Sequence, residues 1–422
     1  MVNVIYQETE IGRFPSDWTF SVLGDKVKIY RGGSPRPIQE YITDLEDGVN
    51  WIKIGDVKEN DKYITSTKEK IIPEGVSNSR KVSKGDFILS NSMSFGRPYI
   101  LKVDGCIHDG WLTIQEYENY FDTDYLYYML SSELVYRQYI NMAAGSSVKN
   151  LNKEKVAELL IAFPSKDEQR KIAEKLSDID NLISTLEKQI AKKKLIKQGT
   201  MQELLTGKKR LQGFSGDWRV FRFNEVFDFV SNNAFTRAQL TDSGKVKNIH
   251  YGDILTKYGA YVKANSSNIP YIKKEIDLSR FADKCYLQSG DVIIADTAED
   301  ETVGKALEVV EVDCPILSGQ HTLLCRPRIQ FAEKFLGYYL NSSYYHNQLI
   351  PYIVGTKVSS VTRASVSLTK LLVPEYEEQK AIASILSDMD DEITELEKKL
   401  EKYKQVKQGM MEQLLTGKIR LL

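Results

Sequence analysis

Asp296, Glu299, Asp300 and Glu301 follow the apolar run Val292-Ile293-Ile294-Ala295, and a magnesium-dependent nuclease site could start this way. Such a site would usually add a lysine two residues after the last carboxylate, but Val303 stands there, so a solvated loop is the simpler reading. Cys314, His321 and Cys325 are zinc-ligand types without the paired spacing of a zinc site. The Gly-Lys pairs at Gly207, Gly244, Gly304 and Gly417 are followed by Lys, Val, Ala and Ile, never by the Ser or Thr of a phosphate-cradling loop. No two of the eleven prolines are adjacent, which removes the Asp/Asn-Pro-Pro-aromatic motif of adenine amino-methyltransferases. Cys314-Pro315 has the reverse order of a Pro-Cys nucleophile, and four histidines are few for a hydrolytic site. The chemistry that remains is polar and basic side chains on loops.

The elements that must position those loops come from a duplication. Residues 164–211 recur at 374–421 with a constant offset of 210 and 26 identities in 48 aligned positions. The first copy spaces Ile172, Leu176, Ile179, Ile183, Leu186 and Ile190 by alternating fours and threes, and the second spaces Ile382, Leu386, Met389, Ile393, Leu396 and Leu400 likewise. This a/d pattern predicts two long coiled-coil helices with polar flanks. Ser165 with Glu168 fits a capping box, and Gly207 and Gly417 fit C′ glycines. An amphipathic rod of about 40 residues, roughly 60 Å long, cannot bury its stripe alone, so the two helices are expected to pair rather than each pack only on its own domain.

The repeat extends into the intervening segments. Phe14, Asp17 and Trp18 match Phe214, Asp217 and Trp218; Gly55-Asp56 matches Gly252-Asp253; Gly85-Asp86 matches Gly290-Asp291; Gly145 and Val148 match Gly355 and Val358. The offset varies between about 30–118 and 230–328, so two copies of one scaffold carry different loops. The expected fold is α+β: two mixed α/β domains (1–163 and 212–373) joined by two long antiparallel coiled-coil helices (164–211 and 374–422). An internal pseudo-two-fold repeat would relate the halves, with a domain at each end and residues 1–10 near the C-terminus. The Tyr-rich stretches 121–141 and 331–351 read as helices with core-facing rings.

At 422 residues two or three domains are expected. The absence of an apolar membrane-length run, an N-terminus (MVNVIYQETE) unlike a signal peptide and four widely spaced cysteines read as a reduced, cytoplasmic protein with no membrane partner. Net charge is −1, and only residues 164–211 are clearly basic, with 12 Lys and Arg against 7 Asp and Glu. Charge alone gives no reason to propose nucleic-acid binding.

Two variable domains, each followed by a Pro-x-x-x-Glu-Gln helix ending in Leu-Leu-Thr-Gly-Lys, resemble the specificity subunit of Type I restriction–modification systems. The residues that carry the resemblance are Pro164, Glu168, Gln169 and Leu204 to Gly207, and again Pro374, Glu378, Gln379 and Leu414 to Gly417. It covers essentially the whole chain; the second copy lacks a serine at the position of Ser165. The resemblance implies two target-recognition domains that read a bipartite double-stranded DNA site, with the helices as the ruler between half-sites. It also implies docking of two methyltransferase subunits and of nuclease/translocase subunits, and no catalysis by this chain. S-adenosylmethionine, ATP and magnesium would belong to those partners, with no cofactor in this chain.

The resemblance transfers no base-reading residues, because these domains vary. Side chains able to reach base edges or phosphates from Gly/Pro/Ser-rich loops are the candidates. In the first domain they are Arg31, Ser34, Arg36, Lys53, Ser92, Ser94, Arg97, Ser146, Ser147 and Lys149. In the second they are Asn232, Asn233, Arg237, His250, Tyr251, Thr297, His321, Thr356 and Lys357. Because the two loop sets differ, an asymmetric site is expected. The rival readings are a protein-interaction scaffold, which the charge balance favours, and a stand-alone nuclease built on Asp296.

Overall fold

In a computed structural model, which describes residues 5–58, 61–91, 96–143, 151–355 and 357–422, the chain forms two compact units. The first contains residues 1–187 and 399–422, and the second residues 188–398. The two long helices, Lys166–Leu204 and Tyr376–Leu414, therefore each contribute to both units.

The globular part of unit one is built on two five-stranded sheets. One has the order 28–31, 111–115, 87–90, 98–101, 63–64, antiparallel except for its last pair. The other runs 42–43, 69–71, 49–52, 105–107, 80–82, and its 49–52 and 105–107 strands are parallel. Unit two repeats the first sheet strand for strand: 227–230, 322–327, 292–295, 306–310, 261–263. Its second sheet has four strands, and a single bridge from Tyr286 to Leu317 stands where unit one has the strand 80–82. Strands such as Phe87–Ser90 and Val292–Ala295 are buried at every position, as central strands covered on both faces must be.

The repeated Gly-Asp pairs mark turns that feed these strands. Gly85 and Gly290 lie at φ +97° and +89°, a region glycine enters without strain. Asp86 and Asp291 then accept the backbone N–H of Ser83 (2.9 Å) and Gln288 (2.8 Å), closing the turn. Each Tyr-rich stretch forms two short helices rather than one: Thr123–Leu130 and Glu133–Ala143, then Phe335–Leu340 and Ser343–Leu349. Tyr128 and Tyr338 are buried in the two cores, as their helical spacing predicts.

Each unit contains its own antiparallel helix pair. In unit one Asp180 meets Lys407 at 2.7 Å and Glu187 meets Lys404 at 3.0 Å. In unit two Asp390 meets Lys197, Glu392 meets Lys193 and Glu397 meets Lys194. The basic run of the first helix is thus matched by carboxylates of the second. Of the twelve expected seam positions, Ile172, Leu176, Ile179, Leu186, Ile190, Ile382, Leu386 and Ile393 are buried, while Ile183, Met389, Leu396 and Leu400 are half-buried. The seam is not helix-on-helix throughout. Ile172 and Leu176 join the core of the first domain, together with Trp18 and with Leu414 and Leu415 from the end of the second helix. Ile382 and Leu386 join the second core with Leu204 and Leu205.

The Glu-Gln and Gly-Lys-x-Arg motifs interlock at these same places. Arg420 grips Glu168 with two bonds of 2.7 and 2.8 Å and Asp17 with two more of 2.9 and 2.8 Å. In unit two Arg210 grips Glu378 at 2.6 and 2.7 Å, and Trp218 Nε1 donates to the same carboxylate at 3.0 Å. Glu168 therefore does not complete a capping box; Ser165 approaches its backbone N–H at 3.5 Å, and its carboxylate serves Arg420. Gln169 and Gln379 bind the backbone of the preceding proline and the N–H of Asp122 and Ala332. Gly207 and Gly417 take φ +69° and +67° as C′ residues, which lets the chain turn back toward the arginine. Tyr6 donates to the carbonyl of Gly417 at 3.3 Å, so the start of the described chain lies beside its end, as the repeat predicts.

A second matched contact ties domain to helix. Tyr128 donates to Asp180 at 2.8 Å and Tyr338 to Asp390 at 2.7 Å, each carboxylate also holding a lysine of the other helix. Asp180→Ala is expected to cost about 1–3 kcal/mol, because the Tyr128 hydroxyl keeps only its longer contact with Ser177 Oγ (3.2 Å) and Lys407 loses its carboxylate. Glu187→Ala, which frees only the exposed Lys404, is expected to cost less than about 1 kcal/mol. Urea unfolding of the two variants checks the difference, and equal midpoints would contradict it.

Candidate nucleic-acid interface

In the first domain, strand 28–31 ends at Arg31 and the chain enters the loop Gly32-Gly33-Ser34-Pro35-Arg36-Pro37. Gly32 donates to the carbonyl of Trp111 (2.8 Å) and Gly33 to that of Ile107 (3.1 Å), which presses this loop onto residues 107–111. The approach requires glycine, since a Cβ at position 32 would lie 2.1 Å from the His108 carbonyl oxygen. The loops bring Arg31, Ser34 and Arg36 to Asp109. Ser34 Oγ donates to Asp109 Oδ1 at 2.8 Å, Arg31 Nε reaches the Asp109 carbonyl at 3.4 Å, and Arg36 stands 3.6 Å from Oδ2. His108 Nε2 is 3.0 Å from the same carboxylate, while its Nδ1 accepts the N–H of Gly110. Burial raises the pKa of Asp109, but Ser34, His108 and Arg36 outweigh it and hold the group below the usual carboxylate range. The result is an anion ringed by donors at the mouth of a cavity of about 640 Å³.

Other candidates in this domain lie elsewhere. Lys53 is spent on an ion pair with Glu69. Arg97 is half-buried beyond the strand 87–90. Ser92, Ser94, Ser146, Ser147 and Lys149 lie outside the described residues, as does Thr356 in the second domain.

In the second domain the structure draws five candidates into one chain of contacts. Arg237 lies 3.4 Å from His250 Nδ1 and holds Asp253 with both terminal nitrogens, at 2.7 and 2.9 Å. His250 caps the helix Tyr251–Thr256 by accepting the Gly252 N–H. The His250 and Tyr251 rings are 4.7 Å apart, and Tyr251 meets His321 edge-on at 5.2 Å. His321 Nδ1 is 3.4 Å from Thr297 Oγ1, and His321 sits at φ +56°, an uncommon backbone setting for a residue with a Cβ. Burial, then Arg237, pushes the His250 pKa down, so its imidazole is neutral near pH 7. Strand 297–298 pairs with 359–360, which brings the exposed Lys357 into the neighbouring loop.

Asn232 and Asn233 are engaged within the fold. Asn232 bonds the carbonyls of Gly319 and Thr322, and the buried Asn233 donates to Asn248. Asp296 accepts from Thr297 and Asp300 from Thr302, and no group of residues able to hold a metal ion occurs among the described residues. No helix among them is long and apolar enough to cross a membrane.

Sequence reasoning missed His108, Asp109 and Asp253. Asp253 had a signal, the repeated Gly-Asp pair, whose first-domain copy Asp56 merely accepts the N–H of Lys53 and Lys68. Nothing in the spacing distinguishes His108 and Asp109.

A family model described as the Type I restriction modification DNA specificity domain matches residues 15–196 and again 215–408. The chain belongs to this family. Each match takes in one globular domain and much of the helix that follows, so the specificity domain is present twice. The specificity subunit of the Type I restriction enzyme MjaVIII from Methanocaldococcus jannaschii is 25% identical over 428 residues, 97% of this chain and 94% of that protein. A chain from a structural study of assembly and conformational transition in the type I R-M system superposes with TM-score 0.62 at 17% identity, covering 96% of this chain and 99% of its own length. The S subunit of a Type-I restriction-modification system from M. genitalium gives TM-score 0.53 at 14% identity over 98% and 97%. The last two likenesses establish the shared fold.

The Arg237–Asp253 pair yields a pH prediction for this specificity protein. Burial raises the Asp253 pKa, but Arg237 and Lys257 bring it below its ordinary 3.8. A carboxylate depressed in the folded state adds stability above its unfolded pKa and loses it as pH falls through the depressed value. Arg237→Ala should therefore lower the thermal midpoint at pH 7, and the gap to wild type should narrow below about pH 4. Thermal scans across pH 3–7 test this, and a constant gap would contradict it.

Proposed function

We propose that this chain is the non-catalytic subunit that selects the DNA sequence for a Type I restriction–modification complex. Its two domains read two different half-sites of one asymmetric bipartite site. The observation that carries the reading is one sheet scaffold presented twice with different side chains at equivalent places. After the strand 105–107 unit one places His108 and Asp109, and after the equivalent strand 316–318 unit two places Gly319 and Gln320, followed by His321 beside Tyr251 and Thr297. The long helices, which belong to both units, set the number of unspecified base pairs between the half-sites.

Methyltransferase subunits dock on this chain, and nuclease/translocase subunits join to restrict unmodified DNA. S-adenosylmethionine, ATP and magnesium act in those partners. A near-neutral chain suits this role, because partner subunits then supply much of the phosphate contact that dominates affinity.

The experiment is co-expression with the cognate methyltransferase subunit, followed by sequencing of host DNA for N6-methyladenine. One bipartite motif with unlike halves is expected. Exchange of residues 15–160 for the matching segment of another family member should replace one half and keep the other. A soluble complex that adds no methylation, or an exchange that leaves the motif intact, would refute the proposal.

A further inference from the structure

In the major groove a G·C pair displays two acceptors on guanine, O6 and N7, and one donor on cytosine, N4. Its protein complement is an arginine fork beside a carboxylate. The loop pair of the first domain carries this arrangement. Arg36 is 82% exposed, and its closest nitrogen stands 3.6 Å from Asp109 Oδ2, too far for a hydrogen bond. The two groups are adjacent without consuming each other. Asp109 Oδ1 is occupied by Ser34 and His108, which fixes the carboxylate, while no side chain of another described residue donates a hydrogen bond to Oδ2. Prolines at 35 and 37 flank Arg36 and limit the backbone freedom lost when it engages a ligand. Ser34, Arg36, Ile38, His108 and Asp109 all line the same cavity.

The second domain lacks this combination in its corresponding loops. Arg237 has both terminal nitrogens on a carboxylate that is only 1% exposed, and Asp296 is engaged by Thr297. Residues 319–321, which follow the strand equivalent to 105–107, are Gly, Gln and His.

We propose that Arg36 and Asp109 read one G·C pair in the half-site bound by the first domain. Arg36 donates to guanine O6 and N7, and Asp109 Oδ2 accepts from cytosine N4. The assignment rests on the DNA-specificity reading above.

The test maps N6-methyladenine for the full chain with its methyltransferase subunit, comparing wild type, Arg36→Ala, Arg36→Lys and Asp109→Asn. Arg36→Ala and Asp109→Asn should relax one G·C position of one half-site by roughly 5- to 150-fold and leave the other half-site unchanged. Arg36→Lys keeps the charge but not the fork, so it should relax the same position while methylation at the wild-type motif persists. A duplex with 7-deazaguanine at that position should bind the wild-type complex more weakly and the Arg36→Ala complex no differently from guanine. Variants that keep full preference at every G·C position of a bipartite wild-type motif would overturn this assignment alone. A wild-type complex with no motif would overturn the functional reading and this assignment with it.

Discussion

Two arginine–glutamate pairs hold the architecture together. Arg420 on Glu168 and Arg210 on Glu378 each join the end of one long helix to the start of the other, at the base of a domain. Glu168 and Glu378 are almost wholly buried, and a buried carboxylate is tolerated only when it is paired and hydrogen-bonded. Each pair satisfies that demand differently. Arg420 adds a bidentate grip on Asp17, whereas Glu378 receives Trp218 Nε1; Trp18 Nε1 has no partner among the described residues. The apolar seam supplies burial energy, but an aliphatic heptad looks alike from one repeat to the next. The paired charges distinguish the correct register from a slipped one, a known use of polar groups in helix pairs.

Function follows from separating a shared frame from private loops. Sheet order, Gly-Asp turns, the Tyr–Asp–Lys contacts and the terminal interlocks recur in both units. The loops between strands carry what differs. A rigid strand pair that ends in a glycine-tight loop can present Arg36 or His321 in a defined place, and that is what reading a base edge demands. The chain carries little net charge, and the DNA specificity domain of its family is present twice.

The long helices were legible because heptad spacing, a C′ glycine and a gap-free repeat all point the same way. The division of the chain was harder to foresee. Local periodicity cannot show that Ile172 and Leu176 share a core with Trp18 and Leu415, each more than 150 residues away, rather than only with a partner helix. Glu168 read as a capping residue because its local fit to Ser165 was visible and its distant partner Arg420 was not. The clustering of the second set was foreseeable only in part: Arg237, His250, Tyr251, Thr297 and His321, chosen one by one, converge in the structure. In the first set Arg31, Ser34 and Arg36 were chosen, but Asp109, which gathers them, was not. Asn232 and Asn233 share the residue type of base readers, yet backbone carbonyls and Asn248 consume them; whether a polar side chain is spent inside the fold depends on tertiary contacts.

The most direct test of the account is a double-mutant cycle on Arg210 and Glu378, read by urea unfolding of the full chain. The account predicts that each single alanine variant unfolds at a clearly lower urea concentration than wild type, while the double variant loses far less stability than the two singles together. Additive losses, or single variants with the wild-type midpoint, would show that the apolar seam alone holds the helix ends to the domain.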